Sequence, residues 1–234
     1  MDLSKVLEKE LLEGRFWTHS KTLIEGCTKV SPGCLNCWSE IMQMRFNGGK
    51  PFDGTVIEHW DRMLDLLPKS SRRAPRVWTY WNDVFHESVS ESLHHKLFSK
   101  IGVSQDYHII CTKRPERAVE YFRRFPGNVM LENLIILVTM EDSEQIRERQ
   151  FAAMYLSRLG FLVGILVEPM LAPVDISGLA FTPCWIICGP ENGKGQRPFD
   201  GKWAMELQKQ AEAAHIPFFY KAGLLSGKRY IETP

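Results

Sequence analysis

Short apolar runs alternate with helical patterns along most of this chain, and that rhythm restricts the fold more than any other feature. The runs are RVWTYW (residues 76–81), YHIICT (107–112), LIILVTM (134–140), FLVGILVE (161–168), CWIICG (184–189) and PFFYK (217–221). They are almost continuously apolar, the pattern of parallel strands covered on both faces. A weaker run, RFWTHS at 15–20, is the candidate for a first strand. Helical patterns fill most gaps. One spans 88–102, with a capping box from Ser88 to Glu91. Another spans 114–125, with Pro115 in its first turn. A third, at 142–160, opens on acids and closes on Arg158 and Gly160. A fourth spans 200–215, an extra helix is expected at 54–67, and the opening MDLSKVLEKELLEG also reads as helical. Six or seven strand–helix units predict an α/β fold, a partial (β/α)6-7 TIM-like barrel of parallel strands. The whole chain, 1–234, is read as one domain, with the barrel at about 16–223 and a short tail at 224–234. No Gly-x-Gly-x-x-Gly follows a strand, so a dinucleotide fold loses support.

Composition narrows the class. With 44% hydrophobic and 24% charged residues and a net charge of +1, the chain is ordinary globular protein and not a polycation. Any phosphate-binding surface must therefore be local. The candidates are Lys69, Arg72, Arg73 and Arg76; Arg114, Arg117, Arg123 and Arg124; and Lys221, Lys228 and Arg229. The alternative is a solvated face balanced by neighbouring acids. Six cysteines are too few for a disulfide scaffold. The start has no apolar signal-peptide core, and no run approaches the roughly 18 apolar residues of a membrane span. The expectation is a cytoplasmic protein in a reducing compartment, with no membrane partner, acting as a monomer.

The loop GCTKVSPGCLNCWSE, residues 26–40, places Cys27, Cys34 and Cys37 close together. Structural zinc takes four protein ligands and disulfides pair cysteines in twos, so three thiols need explaining. One reading is a Cys3His zinc site completed by His19, His59 or His86. A second is three independent structural cysteines. A third is a [4Fe-4S] cluster with three thiolate ligands and one iron open to a small molecule. Pro32 and Gly33 bend the chain between the cysteines, and glycine permits close backbone approach. Cys111, Cys184 and Cys188 lie in strand patterns and read as apolar fillers. Trp78, Trp81 and Trp185 read as core or cavity walls, and His94 and His95 as surface residues of a helix.

In parallel α/β folds, chemistry collects at the C-terminal ends of strands. Here those ends carry Asn82, Asp83, His86 and Glu87, then Thr112, Lys113 and Arg114, then Glu141 and Asp142. Glu168 follows, then Glu191, Asn192, Lys194 and Arg197, and finally Lys221. Strand ends also meet solvent, which by itself favours polar residues. The first strand leads into the cysteine loop, so the thiols are expected to face the same mouth.

With GCTKVSPGCLNCWSE, NDVFHE, TKRPER, EPMLAPVD, CGPENGKGQRP and IPFFYK in order, the chain resembles the radical S-adenosylmethionine superfamily. More closely it resembles a phage-associated family of formerly unknown function within it, over residues 17–223. Three departures are visible, and one is Trp38 after the third cysteine, where tyrosine is common. The spacing is Cys-x6-Cys-x2-Cys where the superfamily has Cys-x3-Cys-x2-Cys, although the phage family shares the longer form. CGPENG stands where the family often has Gly-Gly-Glu-Ser-Gly.

The resemblance implies a [4Fe-4S] cluster on Cys27, Cys34 and Cys37 that binds S-adenosyl-L-methionine. Reductive cleavage would then release a 5′-deoxyadenosyl radical. Cofactor-binding roles fall to Trp38, Asn82, Asp83, Thr112, Lys113, Arg114, Glu141, Glu168 and Asn192. Catalytic roles fall to His86, Glu141, Glu191 and Lys221. His86 equally suits a loop-orienting role. The implied substrate is a nucleobase in phage DNA, most specifically a hypermodified thymidine, either in DNA or as a modified nucleotide. The implied reductant is a flavodoxin or ferredoxin, and the location is a host cytoplasm. A thymine-lesion lyase, a radical enzyme on a peptide or metabolite, and a zinc nucleic-acid-binding module are the alternatives.

Overall fold

The computed structural model describes residues 3–66, 75–128, 131–192 and 195–234. Lys69, Arg72, Arg73 and Lys194 lie outside the described residues. The first helix, α1, is Leu3–Leu12, followed by strands β1 (His19–Lys21) and β2 (Ile24–Glu25). Past the cysteine loop come α2 (Trp38–Met44), β3 (Ile57–Glu58) and β4 (Val77–Tyr80). Strand and helix then alternate through α3 (Glu91–Gly102), β5 (Tyr107–Thr112), α4 (Pro115–Arg124), β6 (Leu134–Thr139), α5 (Ser143–Arg158) and β7 (Leu162–Val167). The last elements are β8 (Ile186–Cys188), α6 (Gly201–Ala213) and β9 (Phe218–Tyr220).

Seven strands form one parallel sheet in the order β1-β4-β5-β6-β7-β8-β9. The sheet curls into a half-barrel, the partial TIM-like barrel that the apolar runs predict. Each apolar run forms a strand, and the weak first run contributes the three-residue β1.

The strands divide their side chains by period two. Val77, Ile109, Ile135, Leu137, Leu166, Trp185, Ile187 and Phe219 form the inner cluster. Helix α1 lays Leu3, Leu7 and Leu11 on that cluster, at the i, i+4 spacing of one helical face. Tyr80, Ile110, Ile136, Val138, Val163, Ile165 and Phe218 belong to the larger cluster under the outer helices. Burying each such side chain contributes about 1.5–3 kcal/mol, so both faces select apolar residues. What remains polar is pushed to the strand ends.

Three expectations need correction. No α-helix forms at 54–66. Ile57–Glu58 pairs antiparallel with Ile24–Glu25, and a 3-10 helix follows at Trp60–Leu66. The pairing joins residues more than thirty apart, so the local amphipathic pattern does not decide it. Helix α3 is capped by Ser90, not Ser88: Ser90 Oγ accepts the Leu93 amide at 3.1 Å and donates to Glu58 at 3.0 Å. His94 is buried, with its Nε2 2.6 Å from the Val84 carbonyl, while His95 is exposed as expected.

Candidate functional site: a cysteine loop fastened to the strand ends

The cysteine loop crosses the C-terminal mouth of the half-barrel, and polar groups from four strand ends hold it there, with Arg114, Glu141 and Glu191 buried and Asn82 half-buried. After β4, Asn82 adopts φ 62°. Its Oδ1 accepts the Ser39 hydroxyl at 2.6 Å, and its Nδ2 donates to the Ile24 carbonyl at 2.9 Å. After β5, Arg114 donates through Nη2 to Thr28 Oγ1 at 2.6 Å and to the Thr28 carbonyl at 3.2 Å. After β6, Glu141 accepts the Gly33 amide at 3.2 Å and the Ser31 hydroxyl, while its other oxygen accepts Arg149 Nη1 at 2.8 Å. After β8, Glu191 accepts Asn36 Nδ2 at 2.9 Å and the Arg197 amide at 2.9 Å. The loop residues taken up are therefore Thr28, Ser31, Gly33, Asn36 and Ser39, which alternate with the cysteines.

Glycines make this close seating possible. A Cβ on Gly33 would stand 2.4 Å from Glu141 Oε1. At Gly26, with φ +89°, a Cβ would stand 1.8 Å from the Thr55 carbonyl oxygen.

Asp83 organises the β4–β5 side. It accepts the Thr112 hydroxyl at 2.8 Å, the Lys113 amide at 2.9 Å and Arg114 Nη1 at 3.2 Å. Arg114 Nε also donates to Glu87 at 2.8 Å, and its Nη1 lies 3.7 Å from Cys27 Sγ. His86 Nδ1 accepts the Ser88 amide at 3.1 Å, which leaves the proton on Nε2, 3.0 Å from Thr28 Oγ1. Burial and the neighbouring Arg114 hold the His86 pKa below its usual value, so the ring is a neutral fastener of the loop. At Glu191 burial opposes ionisation. The hydrogen bonds from Arg197 and Asn36 outweigh it and hold the carboxyl at about 2.

The six cysteines are free thiols. Burial pushes the Cys27 thiol up to about 11 against the pull of Arg114. Burial likewise raises Cys111 and Cys184 to about 12 and raises Cys188 further, as befits apolar fillers. Among the described residues, no three His, Cys, Asp or Glu side chains gather closely enough to hold a single metal ion. Both His86 nitrogens are engaged, His59 Nε2 lies 2.9 Å from Glu25, and His19 packs on Trp78 at 5.0 Å between ring centroids. Of the three histidines of the Cys3His zinc reading, His86 is thus the one whose two ring nitrogens are both engaged. Three partly exposed thiols on one fastened loop do suit an iron–sulfur cluster. There each thiolate ligates a different iron, so the sulfurs stand wider apart than the ligands of one ion.

Among the described residues, Glu168, Asn192 and Lys221 in the other half of the mouth bond one another and not the loop. Lys221 Nζ lies 2.7 and 2.6 Å from the two Glu168 oxygens and sits over Phe16 and Trp17. Asn192 donates to Glu168 at 2.9 Å. Trp38, 46% exposed, packs edge-on against Trp81 at the rim.

The family described as "Protein of unknown function (DUF5131)" matches residues 15–228. The chain belongs to the DUF5131 family. The matched span runs from just before β1 to the tail beyond β9, so it includes the cysteine loop and every strand end described above. No curated protein and no solved structure matches this DUF5131 chain.

The structure therefore sorts the strand-end residues into two groups. Asn82, Asp83, Thr112, Arg114, Glu141 and Glu191 are spent on the loop and on one another. Glu168, Asn192 and Lys221 form a separate cluster, and Lys113 enters the first network only through its amide. Sequence reasoning missed Thr28, Ser31, Asn36 and Ser39 as partners, although all lie inside the stretch already singled out. It also missed Arg149, which returns to Glu141 from α5. The basic clusters are largely partnered: Arg76 with Asp106 at 2.8 Å, Arg117 with Glu120, and Arg124 with Glu91. No described helix is long and apolar enough to cross a membrane.

Proposed function

We propose that this chain is a radical S-adenosylmethionine enzyme of the phage-associated type, with a [4Fe-4S] cluster held by Cys27, Cys34 and Cys37. The observation that supports this most is the fastening of the loop. Four strand ends spend polar groups, three of them buried, on seating a loop with three free thiols at the mouth of a parallel half-barrel. When bound and reduced, the cluster supplies an electron that cleaves the sulfonium of S-adenosylmethionine and releases a carbon radical able to take hydrogen from substrate.

This chain's own groups then position and shield. Glu141, Glu191, Asn82 and Arg114 fix the thiols. The Glu168–Lys221 pair, which is not spent on the loop, is the part of the mouth with polar groups to offer. Lys221 presents a cation suited to a carboxylate, and Glu168 presents an acceptor suited to hydroxyl or amino groups. Thr112 and Asp83 belong to the other half, where Asp83 holds Arg114 Nη1 and the Lys113 amide, and Trp38 with Trp81 walls the rim. The proposed substrate is a nucleobase of DNA, most specifically a hypermodified thymidine, and the proposed reductant is a flavodoxin or ferredoxin.

Anaerobic purification with iron and acid-labile sulfide analysis tests the cofactor. Iron and sulfide together are expected; zinc without iron overturns the reading. Cys34→Ala is expected to lose the iron and Cys111→Ala to keep it. Incubation with S-adenosylmethionine, reductant and phage DNA, followed by nucleoside mass spectrometry, tests the substrate. A changed nucleoside is expected. Accumulation of 5′-deoxyadenosine with another substrate and no nucleoside change overturns the DNA assignment.

A further inference from the structure

We infer that Arg114 is a positioning residue that sets the reduction potential of the cluster through its contact with Cys27, an inference that rests on the cluster reading above. Its side chain is only 5% exposed, yet every arm is used. Nε donates to Glu87 at 2.8 and 3.0 Å, and Nη2 donates to the Thr28 hydroxyl and carbonyl at 2.6 and 3.2 Å. Nη1 divides between Asp83 at 3.2 Å and Cys27 Sγ at 3.7 Å. Among the described residues, no other charged side chain is hydrogen-bonded to a sulfur of the loop.

The geometry asks for more than a clamp. The two Thr28 bonds already fasten the loop, and Thr28 is fastened again by His86 at 3.0 Å. The contact to Cys27 adds little hold, but it places a delocalised cation against a ligand sulfur in a buried setting. Hydrogen bonds to ligand sulfur and nearby net charge both set the potential of iron–sulfur clusters. An N–H donor withdraws electron density from the thiolate. A cation favours the reduced cluster, which carries one more negative charge. Both effects raise the potential. Asp83 and Glu87 temper them, and Glu87 does so from a half-exposed position, 55% accessible.

The test is a potentiometric titration of the anaerobically reconstituted full chain, followed by the paramagnetic resonance of the reduced cluster. Arg114→Gln, which removes the charge, is expected to lower the midpoint potential. Arg114→Lys, which keeps the charge but not the fork, is expected to fall between Arg114→Gln and wild type. Glu87→Gln leaves every Arg114–Cys27 atom in place and removes a countercharge, so it is expected to shift the potential upward. This third variant keeps the inference open to refutation even where the Arg114 variants fail to hold a cluster. An unchanged or lowered potential in Glu87→Gln overturns the inference, as does an unchanged potential in a loaded Arg114→Gln. Wild-type protein that binds no iron and sulfide overturns both the cluster reading and this inference. Wild-type protein with a cluster and variants without a shift overturns the inference alone.

Discussion

The Glu141 carboxylate reaches up from the end of β6 to accept the Gly33 amide at 3.2 Å, and no side chain larger than glycine's hydrogen fits between them. A Cβ at Gly33 would also lie 2.9 Å from the Glu141 carboxyl carbon. Glu141 cannot yield, because it is fully buried and Arg149 holds its other oxygen at 2.8 Å. The cysteine loop is therefore seated by a contact that leaves no slack.

Gly33→Ala is accordingly expected to lift the loop rather than unfold the barrel. Overpacking of this kind costs about 1–3 kcal/mol. Thermal unfolding should show a modest loss, while alkylation of Cys34 by iodoacetamide should speed up markedly. Gly178→Ala is the control, since a Cβ there meets nothing within 4 Å. Equal Cys34 reactivity in both variants would refute the seating.

Two buried histidines predict a loss of stability in mild acid. His108 is fully buried, with Nδ1 2.6 Å from the Tyr80 hydroxyl and no partner for Nε2. Burial lowers its pKa from 6.5 to about 4. The unfolded chain therefore binds a proton more readily than the native one. The stability this group contributes is complete above pH 6.5 and is lost as pH falls towards 4, by about 3 kcal/mol. His94 acts in the same direction, because burial lowers its pKa and its Nδ1 has no acceptor. Denaturant titrations at pH 7.5 and 5.0 should show the drop, and His108→Phe should reduce it. An unchanged slope in that variant would assign the effect elsewhere.

How much of this was legible beforehand depends on the range of the interaction. The strands were legible because burial on both faces makes 107–112 and 134–139 apolar without reference to any partner. The convergence of Asp83, Arg114, Glu141, Glu168, Glu191 and Lys221 on one mouth was legible too, because parallel strands share a C-terminal end. Their partners were not. Glu141 meets Ser31 across a separation of 110 residues, and Glu191 meets Asn36 across 155. No local pattern records such pairing. The same holds for β3, whose strand character comes from β2, and for His94, which is covered by Phe85 and Tyr121 and bonds the Val84 carbonyl, all outside its own helix. The polar ends thus pointed to the right place, while the division between loop-holding groups and the Glu168–Lys221 cluster needed the fold.

That division is testable. Lys221 and Glu168 are each 14% exposed, and their contacts shown are with one another, with Asn192 and with the Phe16 and Trp17 rings. Lys221→Met strands Glu168, although Asn192 still donates to it. The expected cost is about 2–4 kcal/mol, at or below the range for breaking a buried pair. On the cluster reading proposed above, iron content should stay at the wild-type level while cleavage of S-adenosylmethionine falls. Loss of iron as complete as in Cys34→Ala would show that the two halves of the mouth are not independent.

Asn82 combines backbone and side-chain roles, and two substitutions separate them. Its φ of 62° is left-handed, a conformation that costs an ordinary side chain about 1–2 kcal/mol. Its side chain bonds Ser39 within the cysteine loop and Ile24 just before it, at 2.6 and 2.9 Å. Asn82→Gly keeps the backbone conformation and removes both bonds, so it should lose about 2 kcal/mol at about 1 kcal/mol per bond. Asn82→Ala should lose about 1 kcal/mol more, from the left-handed backbone. Urea unfolding with an unchanged m value reads both numbers. If the glycine variant is as stable as wild type, the bonds to Ser39 and Ile24 hold nothing. If alanine and glycine cost the same, the strain at residue 82 is relieved by the chain around it.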